Sequence, residues 1–377
     1  MRISRILATE VVVPAHPGAI ESAALRRPLH KLPVKGSRGW SVQFDELPKI
    51  VLQLELADGT VGLGELYRSV DWPTVDAIAE SLVGEDIGRL CRQDLPFART
   101  REYDGFEIAI WDAYARTLGV RVVDLLGGPV RDLVEVSAWS SHRTLDEIGD
   151  VARGYHEQGF TSFKLKCSLE DDVVGWCAAI AESAPGMRVV LDPNERFERV
   201  AEARRIADGL AEIGNVLCLE DPIPHWMAAE WAELRRATSI PVVRHVSLPY
   251  TSVGNRPSDA ITAIRNSTVD GFNFNAGLAD FQRLDHVADV AGLPSWHGSE
   301  VDLGILEAAY VHSAAAARSC TWPSDIFGRH IRSHDLLREP LALTPPHVRL
   351  PSGPGLGVEL DDSAVAKFRT SEKEYRS

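Results

Sequence analysis

Apolar and polar residues alternate along KIVLQLELADGTVGLGEL, on both sides of Asp58-Gly59. A period of two predicts two strands, and Asp-Gly between them predicts a hairpin turn. Residues 1–65 read as strands and residues 71–126 as helices, with a strong helical pattern through FEIAIWDAYARTLG closed by Gly119. Strands followed by helices predict a separate α+β unit. After Gly127-Gly128-Pro129 the pattern changes to short apolar strands separated by amphipathic helices. The candidate strands are VEVSAWS, SFKLKC, RVVLDPN, VLCLEDP, PVVRHV, GFNFN, LPSWHG and, less clearly, CTWPSDI. Near-continuous apolar strands at this spacing predict a parallel sheet buried on both faces. Seven or eight such units in about 200 residues predict a closed barrel rather than an open doubly wound sheet. The segment 340–377 is rich in Pro and Gly, then charged, and is expected to pack back on the first unit.

Composition narrows the function. A chain of 377 residues accommodates a barrel of about 250 residues and a second unit. The formal charge of −14 disfavours nucleic acid and anionic membranes as partners. No apolar run approaches the roughly 20 residues that span a bilayer. The opening MRISRILATEVVVPAHPGA alternates like a strand and lacks the apolar block of a cleaved leader, so a cytoplasmic location is expected. Cys91, Cys167, Cys177, Cys218 and Cys320 are scattered and form no CxxC pair. Buried small hydrophobes are expected there, rather than a disulfide framework.

The candidate chemistry lies at the strand ends: Lys164 and Lys166, Asp192 and Asn194, Glu220 and Asp221, Arg244 and His245, Asn273 and Asn275, His297. In a parallel barrel these ends open on one face, where barrel enzymes keep their active sites. Between Lys49 and Lys367 the chain has no lysines except Lys164 and Lys166. Residues i and i+2 on a strand share a face, so both ammonium groups are expected at the barrel mouth, about 7 Å apart. Their repulsion, roughly 2.4 kcal/mol at an effective dielectric near 20, is expected to lower one toward the range of a general base. Asp192 and Glu220 at adjacent strand ends suit a hard divalent cation such as Mg²⁺, though carboxylates there also cap helices. His297 stands at a strand end, and Asp270 precedes the neighbouring strand. A carboxylate on one ring nitrogen would fix the tautomer and raise the basicity of the other.

These residues, in this order, resemble the enolase superfamily in its mandelate racemase/muconate lactonizing enzyme-like branch. The resemblance runs through DGTVGLGE, FEIAIWDAYARTLG, VVDLLGGPVRD, Lys164-Leu165-Lys166, Leu191-Asp192-Pro193-Asn194, Leu219-Glu220-Asp221-Pro222 and PSGPGLGVELDD. It implies an α/β fold: a modified TIM barrel, (β/α)₇β, over residues 131–335, with an N-terminal α+β capping domain over 1–130 that the segment 336–377 completes. It also implies Mg²⁺ and removal of a proton alpha to a carboxylate. By the same resemblance Lys166 is one base, and Lys164 tunes it and contacts the substrate carboxylate. His297, paired with Asp270, acts on the opposite face, and Asp192 and Glu220 bind the metal. A homo-oligomer is expected.

One departure matters. Relatives carry a third acidic ligand in a stretch like Ile-Pro-Ile-Ala-x-Gly-Glu, where this chain reads Ile240-Pro241-Val242-Val243-Arg244-His245-Val246. Four outcomes remain open at this point. Water replaces the third ligand, His245 binds the metal, the metal is not Mg²⁺, or no metal binds and Arg244 or His245 supplies the positive charge. The leading expectation is a dehydratase acting on a hydroxylated carboxylate such as a sugar acid. A racemase or epimerase and a non-catalytic binding protein on the same barrel are the alternatives. Substrate selection is assigned to the loop from His16 to Lys35 with Arg26 and Arg27, and to Tyr67 and Arg68, with Asn194 and Asp325 as further candidate contacts.

Overall fold

The computed structural model describes residues 1–20, 22, 24–25, 48–68, 71–246, 251 and 253–377. The first unit holds β1 (Ile3–Val12), β2 (Pro48–Leu56), β3 (Val61–Glu65), α1 (Trp72–Leu82), α2 (Tyr103–Leu118) and the short α3 (Val122–Leu125). The β2–β3 hairpin turns at Asp58-Gly59 as its sequence predicts: Gly59 has φ of 87°, and Asp58 accepts from the Thr60 N–H at 2.9 Å. The glycines of VGLGE have a packing reason. A Cβ on Gly62 would collide with the Ala109 carbonyl oxygen, and one on Gly105 with Leu66. α2 therefore lies directly on β3, with its residues from Tyr103 to Ala113 all buried.

The second unit alternates strands and helices: β4 (Leu133–Glu135), β5 (Ala138–Ser140), α4 (Leu145–Glu157), β6 (Ser162–Lys166), α5 (Val173–Ser183), β7 (Arg188–Asp192), α6 (Val200–Ile213), β8 (Val216–Glu220), α7 (Ala228–Ala237), β9 (Val242–Val246), α8 (Arg256–Arg265), β10 (Gly271–Phe274), α9 (Leu278–Ala291), β11 (Ser295–His297) and α10 (Gly304–Ala316). The chain ends in α11 (Gly328–Ile331), β12 (Leu343–Thr344), β13 (His347–Arg349), α12 (Asp362–Phe368) and β14 (Arg369–Arg376).

Strands β5 to β11 form one parallel sheet in chain order. The CTWPSDI segment closes it by bridging on both sides: Cys320 to Ser295 and Ser324 to Val136. The VEVSAWS run divides, because β4 pairs with β13 in a separate small sheet while β5 enters the barrel. β14 pairs antiparallel with β1, giving the first sheet the order β14-β1-β2-β3. Among the described residues no helix is long and apolar enough to cross a membrane. Cys167, Cys177, Cys218 and Cys320 are buried free thiols, and Cys91 is exposed.

Side chains alternate across the barrel wall. Phe163, Leu165, Leu191, Leu219, Val246, Phe272 and Phe274 join the core between strands and helices. Val190, Cys218, Val243 and Trp296 form a separate apolar layer, the inner floor beneath the mouth.

The two units meet through helix ends. Glu65 accepts from the backbone N–H of Leu303 at 2.8 Å and of Leu306 at 3.1 Å, at the start of α10. Glu107 accepts from Ala279 N–H at 2.9 Å, at the start of α9. The first turn of a helix has orphan N–H donors and a partial positive charge, and here carboxylates of the other unit satisfy them. Lys49 compensates the buried charge, 3.0 Å from Glu65 and also paired with Asp302.

Candidate active site

The alternation fixes which strand-end residues face inward. Lys164 and Lys166 do, and their register partners on β7 are Val190 and Asp192. Glu220 faces inward two residues beyond the floor residue Cys218, and His245 two beyond Val243. Asn273 completes this rim, because its side-chain amide donates to Glu220 Oε1 at 2.7 Å.

The charged groups converge. Lys164 Nζ lies 2.7 Å from Glu220 Oε2, 2.7 Å from Asp325 Oδ2 and 3.5 Å from Asp192 Oδ2. Its ammonium sits 5.7 Å from the Trp296 ring, near enough for a cation–π contact. Lys166 Nζ pairs with Asp192 Oδ2. His245 Nδ1 stands 3.6 Å from Glu220 Oε1.

The electrostatics follow from burial and sign. Burial presses the Lys164 ammonium down, but Asp325, Glu220 and Asp192 together raise its pKa well above the usual lysine range. The expected depression by Lys166 is overruled, because three carboxylates outweigh one cation. Burial pushes Asp192 up, yet Lys166 and Lys164 hold it below its ordinary value. Glu220 goes well above the carboxylate range, through burial first and then Asp192. Burial and then Lys164 push the His245 imidazole well below its ordinary pKa.

The mouth loops are strained and cross-tied. Asn194, Glu195 and Asp221 have φ of 46°, 68° and 45°, left-handed conformations that cost roughly 1–3 kcal/mol each in a non-glycine residue. Asp192 Oδ1 accepts from Asn194 N–H at 3.1 Å. Asp221 Oδ1 accepts from His245 N–H at 2.9 Å and lies 2.7 Å from His225 Nε2. Asn194 Oδ1 is buried without a hydrogen-bond partner among the described residues, which keeps it a candidate substrate contact.

Two expectations are corrected. Trp296, not His297, faces the barrel interior, so His297 points outward. Its ring lies between Phe281 on α9, at 4.3 Å and 9°, and Tyr310 on α10, at 3.9 Å and 25°. Its Nδ1 lies 2.8 Å from the Gly298 carbonyl oxygen, and burial lowers its pKa to about 4. Asp270 does not pair with it. Asp270 accepts from Arg235 Nε at 2.7 Å and from Val242 N–H at 3.0 Å. That is the opposite end of the barrel: Phe274 is the residue beside His297, and Asp270 lies four residues earlier, about 13 Å along the strand.

The position beyond Trp296 on the inner side is Gly298, and a Cβ there would collide with Asn273 Oδ1. His245 also differs from the motif count: Val246, at the acid position, faces the helices, and the imidazole takes the inner place.

Other candidates fall elsewhere. The Tyr67 hydroxyl is buried at the junction of the units, 3.0 Å from Asp104 Oδ2 and 3.1 Å from Asn275 Oδ1. Arg68 Nε lies 3.2 Å from Glu300 Oε2, which Arg101 also contacts. Arg244 pairs with Asp259 at 2.7 Å on the outside of the barrel. Arg26 and Arg27 lie outside the described residues.

Sequence reasoning did not single out His142. It is fully buried, with Nδ1 2.7 Å from Asp171 Oδ2 and Nε2 3.1 Å from Arg196 Nη2. This ties together the loops after β5, β6 and β7, and nothing in the local sequence marks it.

A closed parallel barrel with lysines and carboxylates gathered at its C-terminal mouth, roofed by an α+β unit, defines a class of barrel enzymes. The chain belongs to the enolase superfamily: residues 147–364 match the family described as enolase C-terminal domain-like. It is 30% identical over 372 residues to a probable glucarate dehydratase of Streptomyces coelicolor, covering 85% of this chain and 84% of the relative. It is 32% identical over 267 residues to muconate cycloisomerase 1 of Rhodococcus opacus, 69% of each chain. Among solved structures it resembles the N-succinyl Arg/Lys racemase of Bacillus cereus, with TM-score 0.82, 19% identity and 100% of both chains covered. It also resembles the muconate lactonizing enzyme of Pseudomonas fluorescens, with TM-score 0.81, 23% identity and coverage of 98% and 99%.

Enolase superfamily enzymes generally use Mg²⁺. That ion wants near-octahedral oxygen ligation, typically from carboxylates and water. Here three carboxylates, one imidazole nitrogen and an intervening ammonium stand at the place. Among the described residues no group of three or more His, Cys, Asp or Glu side chains is arranged to hold a metal. The side chains as placed do not fit the expected Mg²⁺.

Proposed function

We propose that the chain removes a proton alpha to a substrate carboxylate from one face only, with Lys166 as the base. The observation that carries this reading is the make-up of the inner rim. Lys166 stands on β6, while the opposing inner positions on β10 and after β11 are Asn273 and Gly298, neither of which titrates. The reaction this favours is elimination, the dehydration of a hydroxylated carboxylate such as a sugar acid.

Lys166 Nζ takes the α proton and the electron pair passes to the carboxylate as an enediolate, which then forms the C–C double bond as the β C–O bond breaks. The Lys166 ammonium then returns that proton to the leaving hydroxide, releasing water and an enol that becomes the keto acid. Asp192, beside Nζ, stabilises the ammonium while it carries the proton. No step is assigned to a metal. Racemisation needs a proton donor on the other face, where β10 and the position after β11 present Asn273 and Gly298.

The test is α-hydrogen exchange and product formation in D₂O across a panel of sugar acids, with native protein and Lys166→Met. We expect exchange and loss of water by the native protein, and a fall of about 10²-fold or more in the variant, the contribution of a general base. Inversion at the α carbon without loss of water would refute one-face chemistry. No turnover of any acid would leave the barrel as a binding protein.

A further inference from the structure

We propose that the Lys164 ammonium takes the place of the divalent cation at this site. The claim concerns the resting site and stands apart from the reaction proposed above.

Four observations carry it. The Lys164 ammonium donates to Asp325 Oδ2 at 2.7 Å and makes ion pairs with Glu220 at 2.7 Å and Asp192 at 3.5 Å. Asp325 arrives from the segment that closes the barrel, so the third carboxylate of the site serves the lysine. The Trp296 ring at 5.7 Å favours a monovalent organic cation and offers no oxygen ligand to a dication. On the remaining side the Asn273 amide donates to Glu220 Oε1 at 2.7 Å. An N–H donor there competes with a metal ion for that oxygen. The inner end of β9 carries the imidazole of His245, a nitrogen rather than an oxygen ligand.

Charge supports the same conclusion. Two ammonium groups, Lys164 and Lys166, already stand among Asp192, Glu220 and Asp325. A dication would sit beside two ammonium groups at contact range, which like-charge repulsion opposes.

The experiment uses full-length protein freed of metal with a chelator, and Mn²⁺ as the probe, read by its electron paramagnetic resonance signal. The native protein is expected to leave the Mn²⁺ signal at its free amplitude. Lys164→Met is expected to bind one Mn²⁺ per chain, at least about tenfold more tightly than native, because a cation has been removed from the place. Stoichiometric Mn²⁺ binding by the native protein, displaced by Mg²⁺, overturns the proposal. Failure of both proteins to bind overturns the claim that Lys164 is what fills the place.

Should Lys164→Met not fold, the melting temperature of the native protein decides. No shift with added Mg²⁺ or Mn²⁺ is expected, and a concentration-dependent rise, the signature of binding to the folded state, overturns it. Exchange of the α proton in the presence of chelator separates the two readings. Exchange that demands metal refutes this inference and leaves the one-face chemistry intact. Absence of exchange without any metal binding refutes the chemistry and leaves this inference standing.

Discussion

Replacing His297 by phenylalanine separates the histidine that the motif suggests from the one the barrel builds. The Phe ring keeps the stack between Phe281 and Tyr310, where each aromatic pair contributes about 0.5–1.5 kcal/mol. It loses the hydrogen bond to the Gly298 carbonyl, a net cost of about 1 kcal/mol. The variant should therefore be slightly less stable above neutral pH. Acid reverses the order. Burial lowers the folded pKa of His297 from 6.5 to about 4. As pH falls below 6.5 the unfolded chain takes up a proton that the folded chain refuses, so the stability present above 6.5 is lost progressively down to about 4. Near pH 5 this amounts to about 2 kcal/mol, and His297→Phe escapes it. Denaturant unfolding at neutral pH and near pH 5 should show the two proteins crossing in stability. The α-proton exchange rate should stay within a few-fold. Loss of about 10²-fold or more in exchange from a folded variant, or the absence of any crossing, would refute the outward, neutral placement of this ring.

Gly298→Ala should cost about 1–3 kcal/mol by overpacking against Asn273, measured as a lowered urea midpoint, and Asn273→Ala in the same chain should recover most of it. A silent Gly298→Ala would mean that the inner rim is open at this point. Glu65→Ala strips two N–H acceptors from the start of α10 and one carboxylate from Lys49, which keeps Asp302. A loss of about 3–5 kcal/mol is expected for breaking such a buried pair, with a smaller loss for Glu65→Gln, whose amide oxygen still accepts. A loss within the roughly 0.5 kcal/mol range of surface substitutions would remove this contact from the account of how the units dock.

The sequence made the barrel legible because its strands are apolar and its helices amphipathic, so the change of period after Pro129 marks the second unit. Lys164, Lys166, Asp192 and Glu220 could be placed because each ends a strand long enough to count its phase. His297 could not. β11 spans only Ser295–His297, and all three residues are buried, so no polar face shows which of Trp296 and His297 looks inward. Asp270 failed for a related reason: it precedes its strand and so belongs to the far end of the barrel. His245 was displaced because the motif was counted from Ile240-Pro241, whereas the wall of the barrel is counted from Val243. The fate of Lys164 was hidden differently. Asp325 lies 161 positions away, and nothing local announces which lysine a remote carboxylate will choose. The carboxylates that join the units, Glu65 and Glu107, sit in runs read as strand and helix, and their partners are backbone N–H groups that sequence never displays.

The pairing of β14 with β1 has a consequence for how the molecule is made. During synthesis β1 is made before the barrel, and its edge partner, Arg369–Arg376, after it. The N-terminal sheet must wait, with one edge of its ladder open, while the whole barrel is translated. An open edge is a template for wrong partners, and slow, long-range pairing prolongs that hazard. The first sheet is thus completed only once the barrel between its strands has been made.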